Sequence, residues 1–205
     1  MEIILATKNR GKIREILDAF VGLDYHFGSL FEYPDIPEIE ETGSSYQENA
    51  LIKARAATEA TGKMALADDS GLEVETLGWE PGIHSARYVS NNASDCIRNE
   101  KVLTLLKELP REKRQARFCC SIAITMRDGK AYFAHGQCYG YISERARGGN
   151  GFGYDPIFCL PEFGRTFGEL EGAIKNRVSH RAKALAQARR ILEDLRVYRD
   201  ADERG

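Results

Sequence analysis

Apolar residues along this chain alternate between short unbroken runs and a helical rhythm. Ile3 to Ala6 is an apolar run of the kind a buried strand shows. After a polar loop, Ile13, Ile16, Leu17 and Phe20 recur at helical spacing, which predicts a helix over roughly Lys12 to Val21. Tyr25 to Phe31 fits a strand without requiring one, and Asp35 to Gly43 reads as an acidic loop carrying Pro37. Ser45 with Glu48 three residues later forms a capping-box signature for a helix running to about Thr61, where Gly62 ends it. Met64 to Ala67 reads as a second buried strand that closes on Asp68-Asp69-Ser70-Gly71.

Beyond that point turns become more frequent. Leu77 to Asn92 is mostly loop, broken by Gly78, Pro81 and Gly82. Ile97, Val102, Leu105, Leu106 and Leu109 predict a third helix stopped by Pro110. Phe118, Cys120, Ile122, Ile124 and Met126 alternate with smaller or polar residues, the pattern of a half-buried strand. Asp128-Gly129 signals a hairpin to a partner strand over Lys130 to Gln137, with Tyr139 to Ser143 extending the sheet. A glycine-rich loop covers Gly148 to Pro156 and precedes a short strand, Ile157 to Leu160. Ser179 is placed to cap a last helix with Ala182, Leu185, Ala186, Arg189 and Leu192 on one side. The pattern is α/β, a mixed sheet flanked by helices, since the hairpin rules out a purely parallel sheet. Without an internal repeat or a long linker, one domain over residues 1–197 is expected, with 198–205 as a charged, frayed tail.

Composition narrows the function classes. A net charge of −2 over 205 residues lacks the basic excess of a protein that coats nucleic acid, so no stable nucleic-acid complex is expected. The five cysteines form no C-x-x-C pair and suit no closed disulfide set, which predicts reduced, mostly buried thiols. Met1 to Ala6 puts an acid where a signal peptide needs a base, and no stretch approaches the ~20 apolar residues of a membrane span. A soluble, cytoplasmic protein without membrane contact is the expectation.

Five segments carry candidate chemistry. Thr7-Lys8-Asn9-Arg10-Gly11-Lys12 joins the first strand to the first helix, where free backbone N–H groups and the positive dipole end suit phosphate. It is not a P-loop, and an ordinary polar loop with an Asn turn has the same composition. Asp68 and Asp69 stand at the expected carboxyl end of a strand, where ligands sit in open α/β sheets. Two adjacent acids there are costly unless a cation shares them; if strand geometry persists, their side chains face opposite ways. The alternative is an Asp-rich turn.

Glu38 to Gly43 is an acidic run of the kind that is usually solvated. It gains weight from the capped helix that follows, which sets Asn49 and Lys53 on one face. Hard oxygen donors of this kind suit Mg²⁺. Gly148 to Pro156 combines glycines that allow close backbone approach with Phe152 and Tyr154, on whose faces a base could stack, though the aromatics could equally fill a core. Lys175 precedes Ser179-His180-Arg181, whose two basic residues in a helix's first turn oppose its dipole unless an anion is near. His26, His84, His135 and His180 share no metal-ligand spacing, and nothing suggests a covalent nucleophile.

Six stretches in register resemble the inosine/xanthosine triphosphate pyrophosphatase family, the non-canonical purine NTP pyrophosphatases. They are Thr7-x-Asn9-x-x-Lys12, Glu40-Glu41-Thr42-Gly43 with Glu48-Asn49-Ala50, Ala67 to Leu72, Pro81 to Tyr88, Gly151 to Pro156, and Lys175 with Ser179-His180-Arg181. The resemblance implies an elongated mixed sheet with two lobes, a central cleft and a homodimeric state. It implies hydrolysis of ITP, dITP and XTP between the α- and β-phosphates, with one Mg²⁺ per subunit. Carried over, Thr7, Lys8, Asn9, Arg10, Gly11 and Lys12 would hold phosphates, Glu40 and Asp69 the metal, and Asp69 would also be the general base supported by Asp68 and Lys53. Ser70, Phe152, Gly153, Tyr154, Asp155, Lys175, His180 and Arg181 would shape the nucleotide pocket. Ile174, where many relatives carry an acid, and Val89-Ser90 depart from the family pattern in local loop detail. Maf-type nucleotide pyrophosphatases share the architecture but not the Ser179-His180-Arg181 and Gly151 to Pro156 motifs. A nucleotide sensor without turnover has no need of the Asp68-Asp69 pair.

Overall fold

A seven-stranded mixed sheet organises the chain, in the order β2-β1-β3-β4-β5-β6-β7. The computed structural model describes residues 1–202, with side chains to Val197. Strand β1 (Glu2–Leu5) pairs in parallel with β2 (His26–Ser29) and with β3 (Met64–Val74). At the other end β5 (Ala131–Ile142) pairs antiparallel with β6 (Phe158–Leu160), and β6 with β7 (Arg165–Thr166). Strand β4 (Gln115–Thr125) is joined to β5 by the expected Asp128-Gly129 turn, closed by Met126 N–H donating to Lys130 O at 2.9 Å. The α/β class and the mixed sheet expected from the hairpin are both present.

The helices begin where their caps dictate. Helix α1 (Arg10–Ala19) starts two residues before the expected Lys12, because the Asn9 side chain accepts from Lys12 N–H at 3.0 Å and caps it. Helix α2 (Tyr46–Thr61) is capped by Ser45, whose Oγ accepts from Glu48 N–H at 3.2 Å. The Glu48 carboxylate reaches back to Ser44 N–H at 2.6 Å, one residue further than a strict capping box. Helix α3 (Asp95–Leu105) ends earlier than the expected stop at Pro110. Lys175 lies in a helix of its own, α4 (Gly172–Val178), and Ser179 in extended conformation separates it from α5 (His180–Asp202). The expected tail therefore continues helix α5 to Asp202, and its last three residues, 203–205, lie outside the described residues.

Two strand expectations need correction. β3 does not close on Asp68-Asp69: it runs eleven residues through both acids to Val74. β4 is buried on both faces rather than one, from Phe118 to Thr125. The alternation in its sequence is one of size. Cys120, Ile122 and Ile124 pack with Ile16 and Phe20 of α1 and Leu185 and Leu192 of α5, whereas Ala123 meets Ala50, Ala54 and Ala57 of α2. Small residues let the alanine-rich helix approach the sheet closely, so the smaller face is as dry as the larger.

The chain divides into two compact units. Unit 1 comprises Met1–Asp69, Cys120–Gly136 and Arg181–Gly205; unit 2 comprises Ser70–Cys119 and Gln137–His180. Unit 2 has its own core, in which Phe118, Phe158 and Phe167 pack ring on ring at 4.6 to 5.9 Å. Four of the five free cysteines are buried and Cys96 is exposed.

Candidate active site

Strand pleating sends the two acids of β3 in unit 1 to different partners, as neighbouring strand residues must. Asp68, 2% exposed, faces three elements at once. Its Oδ1 is ion-paired with Lys12 of α1, its Oδ2 receives Arg181 Nε of α5 at 3.0 Å, and Cys120 Sγ of β4 donates to the same oxygen at 3.0 Å. Arg181, also 2% exposed, turns its NH1 to Glu15 Oε2 at 2.6 Å. Burial by itself would raise the Asp68 pKa, but Arg181, Lys12 and the Cys120 thiol outweigh it and hold the carboxyl well below the usual range. The anion that the basic first turn of α5 calls for is thus supplied by the protein itself, as Asp68 and Glu15.

Asp69 belongs to a second constellation. Lys53 Nζ lies 2.8 Å from Asp69 Oδ1, 2.7 Å from Glu41 Oε1 and 2.9 Å from Asp68 O. Asn49, one turn before Lys53 on α2, offers Nδ2 to Asp69 Oδ2 at 3.4 Å, while its Oδ1 accepts from Gly43 N–H at 2.8 Å. The acidic loop is therefore tied by its backbone to the helix that carries the lysine. Burial penalises the Lys53 charge, but Asp69 and Glu41 more than offset it and raise the ammonium pKa. Burial, opposed by Lys53 and Lys12 and reinforced by Glu41, leaves the Asp69 carboxyl above its ordinary value. Glu40 is exposed beside Glu41, which makes the ion pair.

The β1–α1 loop is organised by its own side chains. Thr7 Oγ1 accepts from Asn9 N–H at 3.1 Å, Asn9 caps α1, and Arg10 lies 5.6 Å from the Phe31 ring centre. Lys8 is exposed, and Gly11 and Lys12 are half-buried.

Unit 2 holds a separate cluster. Lys175, 4% exposed, places Nζ 2.5 Å from Asp155 Oδ2 and 4.7 Å from the Phe152 ring centre. Asp155 Oδ2 also accepts from Phe152 N–H at 2.8 Å. Gly153 N–H donates to Asp95 Oδ2 at 2.6 Å, and Asn99 Nδ2 donates to Gly153 O at 3.1 Å, so the first two turns of α3 brace the glycine-rich loop. Tyr154 is buried and donates its hydroxyl to Ser85 O at 2.9 Å, tying the Pro81 to Tyr88 stretch to the same loop. His180 stacks on Phe118 at 4.5 Å and 11°, and Ser70 is half-buried on β3.

The Ham1 family model matches residues 3–191 of this chain. The chain belongs to the Ham1 family. It is 44% identical over 200 residues to a protein named dITP/XTP pyrophosphatase from Desulforamulus reducens, covering 98% of this chain and 100% of that one. A protein of the same name from Geobacter sulfurreducens is 48% identical over 184 residues, or 90% of this chain and 92% of that one. Among solved structures, a HAM1 protein from Coxiella burnetii is similar with a TM-score of 0.86 and 43% identity, covering 95% of this chain and 99% of that one.

In this Ham1-family chain eight of the predicted residues are joined by direct contacts into three groups: Lys12 with Asp68 and Arg181, Lys53 with Asp69, and Phe152 with Asp155 and Lys175. Sequence reasoning gave no role to Glu15, Cys120, Asp95 or Asn99. Each is brought in from a distant segment, and none sits in a motif that would single it out. Gly151 shows how tightly the third group is built. Its φ is +76°, and an added Cβ would run into the Asp155 carboxylate. Gly151→Ala is expected to displace Asp155 from Lys175 and to raise KM for nucleotide more than it lowers kcat. Steady-state kinetics checks this, and an unchanged KM would show that the loop tolerates the shift.

Proposed function

We propose that this Ham1-family protein hydrolyses deaminated purine nucleoside triphosphates, namely ITP, dITP and XTP, to the monophosphate and pyrophosphate. That activity keeps aberrant purines out of DNA and RNA. The observation that carries the reading is the contrast between adjacent carboxylates: Asp68 is locked by two cations, while Asp69 sits with Glu41 on a single lysine and has a raised pKa. A carboxylate pKa moved toward neutrality suits a general base.

The fit of a divalent cation can be judged from the donors. Glu41 and Asp69 converge on one ammonium, so two hard oxygen ligands already share a positive charge. Among the described residues no cluster of three or more His, Cys, Asp or Glu could hold a metal alone. That donor set suits Mg²⁺, which normally takes one or two carboxylates and completes its shell with water and phosphate. Asp69 and the acidic loop, through Glu40 or Glu41, would hold it. When bound, Mg²⁺ neutralises phosphate charge and lowers the pKa of water.

The protein's own residues supply the rest. Asp69 takes a proton from the attacking water. Lys53 keeps Asp69 oriented and ionised, and Asp68 holds Lys12 at the start of α1, where its charge and the loop from Thr7 to Gly11 meet the polyphosphate. In unit 2, Phe152 offers a ring face and the glycine-rich backbone offers N–H groups to the base. Ser70, Gly153, Tyr154, Asp155, Lys175 and His180 fix that surface, and Arg181 acts by anchoring Asp68. The same reading makes the protein a cytoplasmic homodimer with one Mg²⁺ per subunit. No described helix is long and apolar enough to cross a membrane.

A panel of ITP, XTP, GTP and ATP at one Mg²⁺ concentration, with pyrophosphate detection, tests the proposal. A 6-keto purine presents an acceptor where adenine presents a donor, so donors set for the keto group reject adenine. We expect kcat/KM for ITP and XTP to exceed that for ATP by up to about 10⁴-fold. Discrimination against GTP has to rest on exclusion of its 2-amino group. Equal values for ITP and ATP would defeat the specificity, and release of orthophosphate in place of pyrophosphate would defeat the reaction.

A further inference from the structure

Unit 2 contains a cavity of about 400 Å³ that shares no residue with the site just described, lined chiefly by Arg111, Arg114, Tyr141, Glu144, Arg145 and Arg147. Four guanidiniums face one lining carboxylate. Such a concentration of like charge is unfavourable unless an anion joins it.

The four arginines are not equivalent. Arg114 is buried and all three of its nitrogens are engaged by backbone: Nε donates to Ile142 O at 2.8 Å, and its terminal nitrogens donate to Leu106 O and Ser143 O at 2.6 Å each. It builds the floor and contributes charge. Arg111 lies over the Tyr141 ring at 4.3 Å. That contact leaves its N–H edge free, and among the described residues neither the Arg111 nor the Arg145 guanidinium has a hydrogen bond or ion pair. Arg147 has a buried Nε with no hydrogen bond, 3.5 Å from Glu169 Oε2, and one terminal nitrogen on the weak acceptor Cys159 Sγ at 3.7 Å. A buried donor without an acceptor is costly, and phosphate oxygens are the acceptors that guanidinium forks match best.

We propose that this cavity is a second anion site, separate from the nucleotide site, which binds a short chain of phosphates through Arg111, Arg145 and Arg147. Three guanidiniums bring about three positive charges, which two or three linked phosphates balance better than a single phosphate does. Arg111 occupies one face of the Tyr141 ring, and the site so defined is assigned to phosphates and not to a base.

Calorimetry with tripolyphosphate in EDTA, on the wild type and the Arg111→Gln/Arg145→Gln variant, tests this. Both substituted residues are exposed, so the fold is expected to persist. The wild-type isotherm should contain a component that the variant loses or weakens about tenfold or more, with kcat/KM for ITP unchanged. The side-chain Nε–Hε NMR signals of Arg111, Arg145 and Arg147 should shift on titration, which reports this cavity apart from the nucleotide site. ATP should bind here no more tightly than tripolyphosphate. Identical isotherms, unshifted arginine signals or markedly tighter binding of ATP would each overturn the proposal.

Discussion

Asp69→Asn is expected to slow turnover by roughly 10²–10⁴-fold while leaving the protein folded. The substitution keeps the side-chain shape and removes both the proton acceptor and a metal-facing charge. Folding should hardly notice, because burial and Glu41 already disfavour the ionised form of Asp69. Lys53 keeps Glu41 at 2.7 Å as a counter-charge. Single-turnover kinetics at saturating Mg²⁺ separates the chemical step from metal affinity, and unfolding in urea reports stability. A variant that keeps most of its activity would remove Asp69 from the role of base.

The neighbouring substitution should do the opposite. Asp68→Asn leaves buried Arg181 and half-buried Lys12 without the buried carboxylate that both of them face. Breaking a buried ion pair by removing one partner typically costs about 3–5 kcal/mol, because the remaining charge stays desolvated. Glu15 still holds one end of Arg181 and tempers the loss. The midpoint of urea unfolding should fall steeply with little change in slope. A midpoint near that of the wild type would mean that the two cations find other partners. The pair of variants is informative together: one side of the strand is tuned for chemistry and the other for holding α1, β3 and α5 in place.

Much of this was legible along the chain because it depends on local rules. Asn9 and Ser45 cap helices by short-range hydrogen bonds, Asp128-Gly129 makes its turn from its own torsions, and strand pleating alone separates Asp68 from Asp69. Six motifs in register were enough to mark the family. The short strand at Tyr25 to Phe31 stayed open because four residues, His26–Ser29, carry little periodicity; only pairing with β1 makes them a strand.

What the tertiary structure decided concerns partners distant in sequence. The alternation in β4 looked half-buried because sequence shows side-chain size but not what covers it, and α2 turned out to cover the small face. Asp68 and Asp69 read as a strand end because buried acids rarely continue a strand. They do so here because Arg181, Lys12 and Lys53, drawn from three separate helices, neutralise them within it. Arg181, a cation in a helix's first turn, needs an anion that the sequence does not name, and the fold brings Asp68 and Glu15 to it. A local pattern specifies that a charge must be balanced; only the packed fold, with its low dielectric and fixed distances, specifies by what.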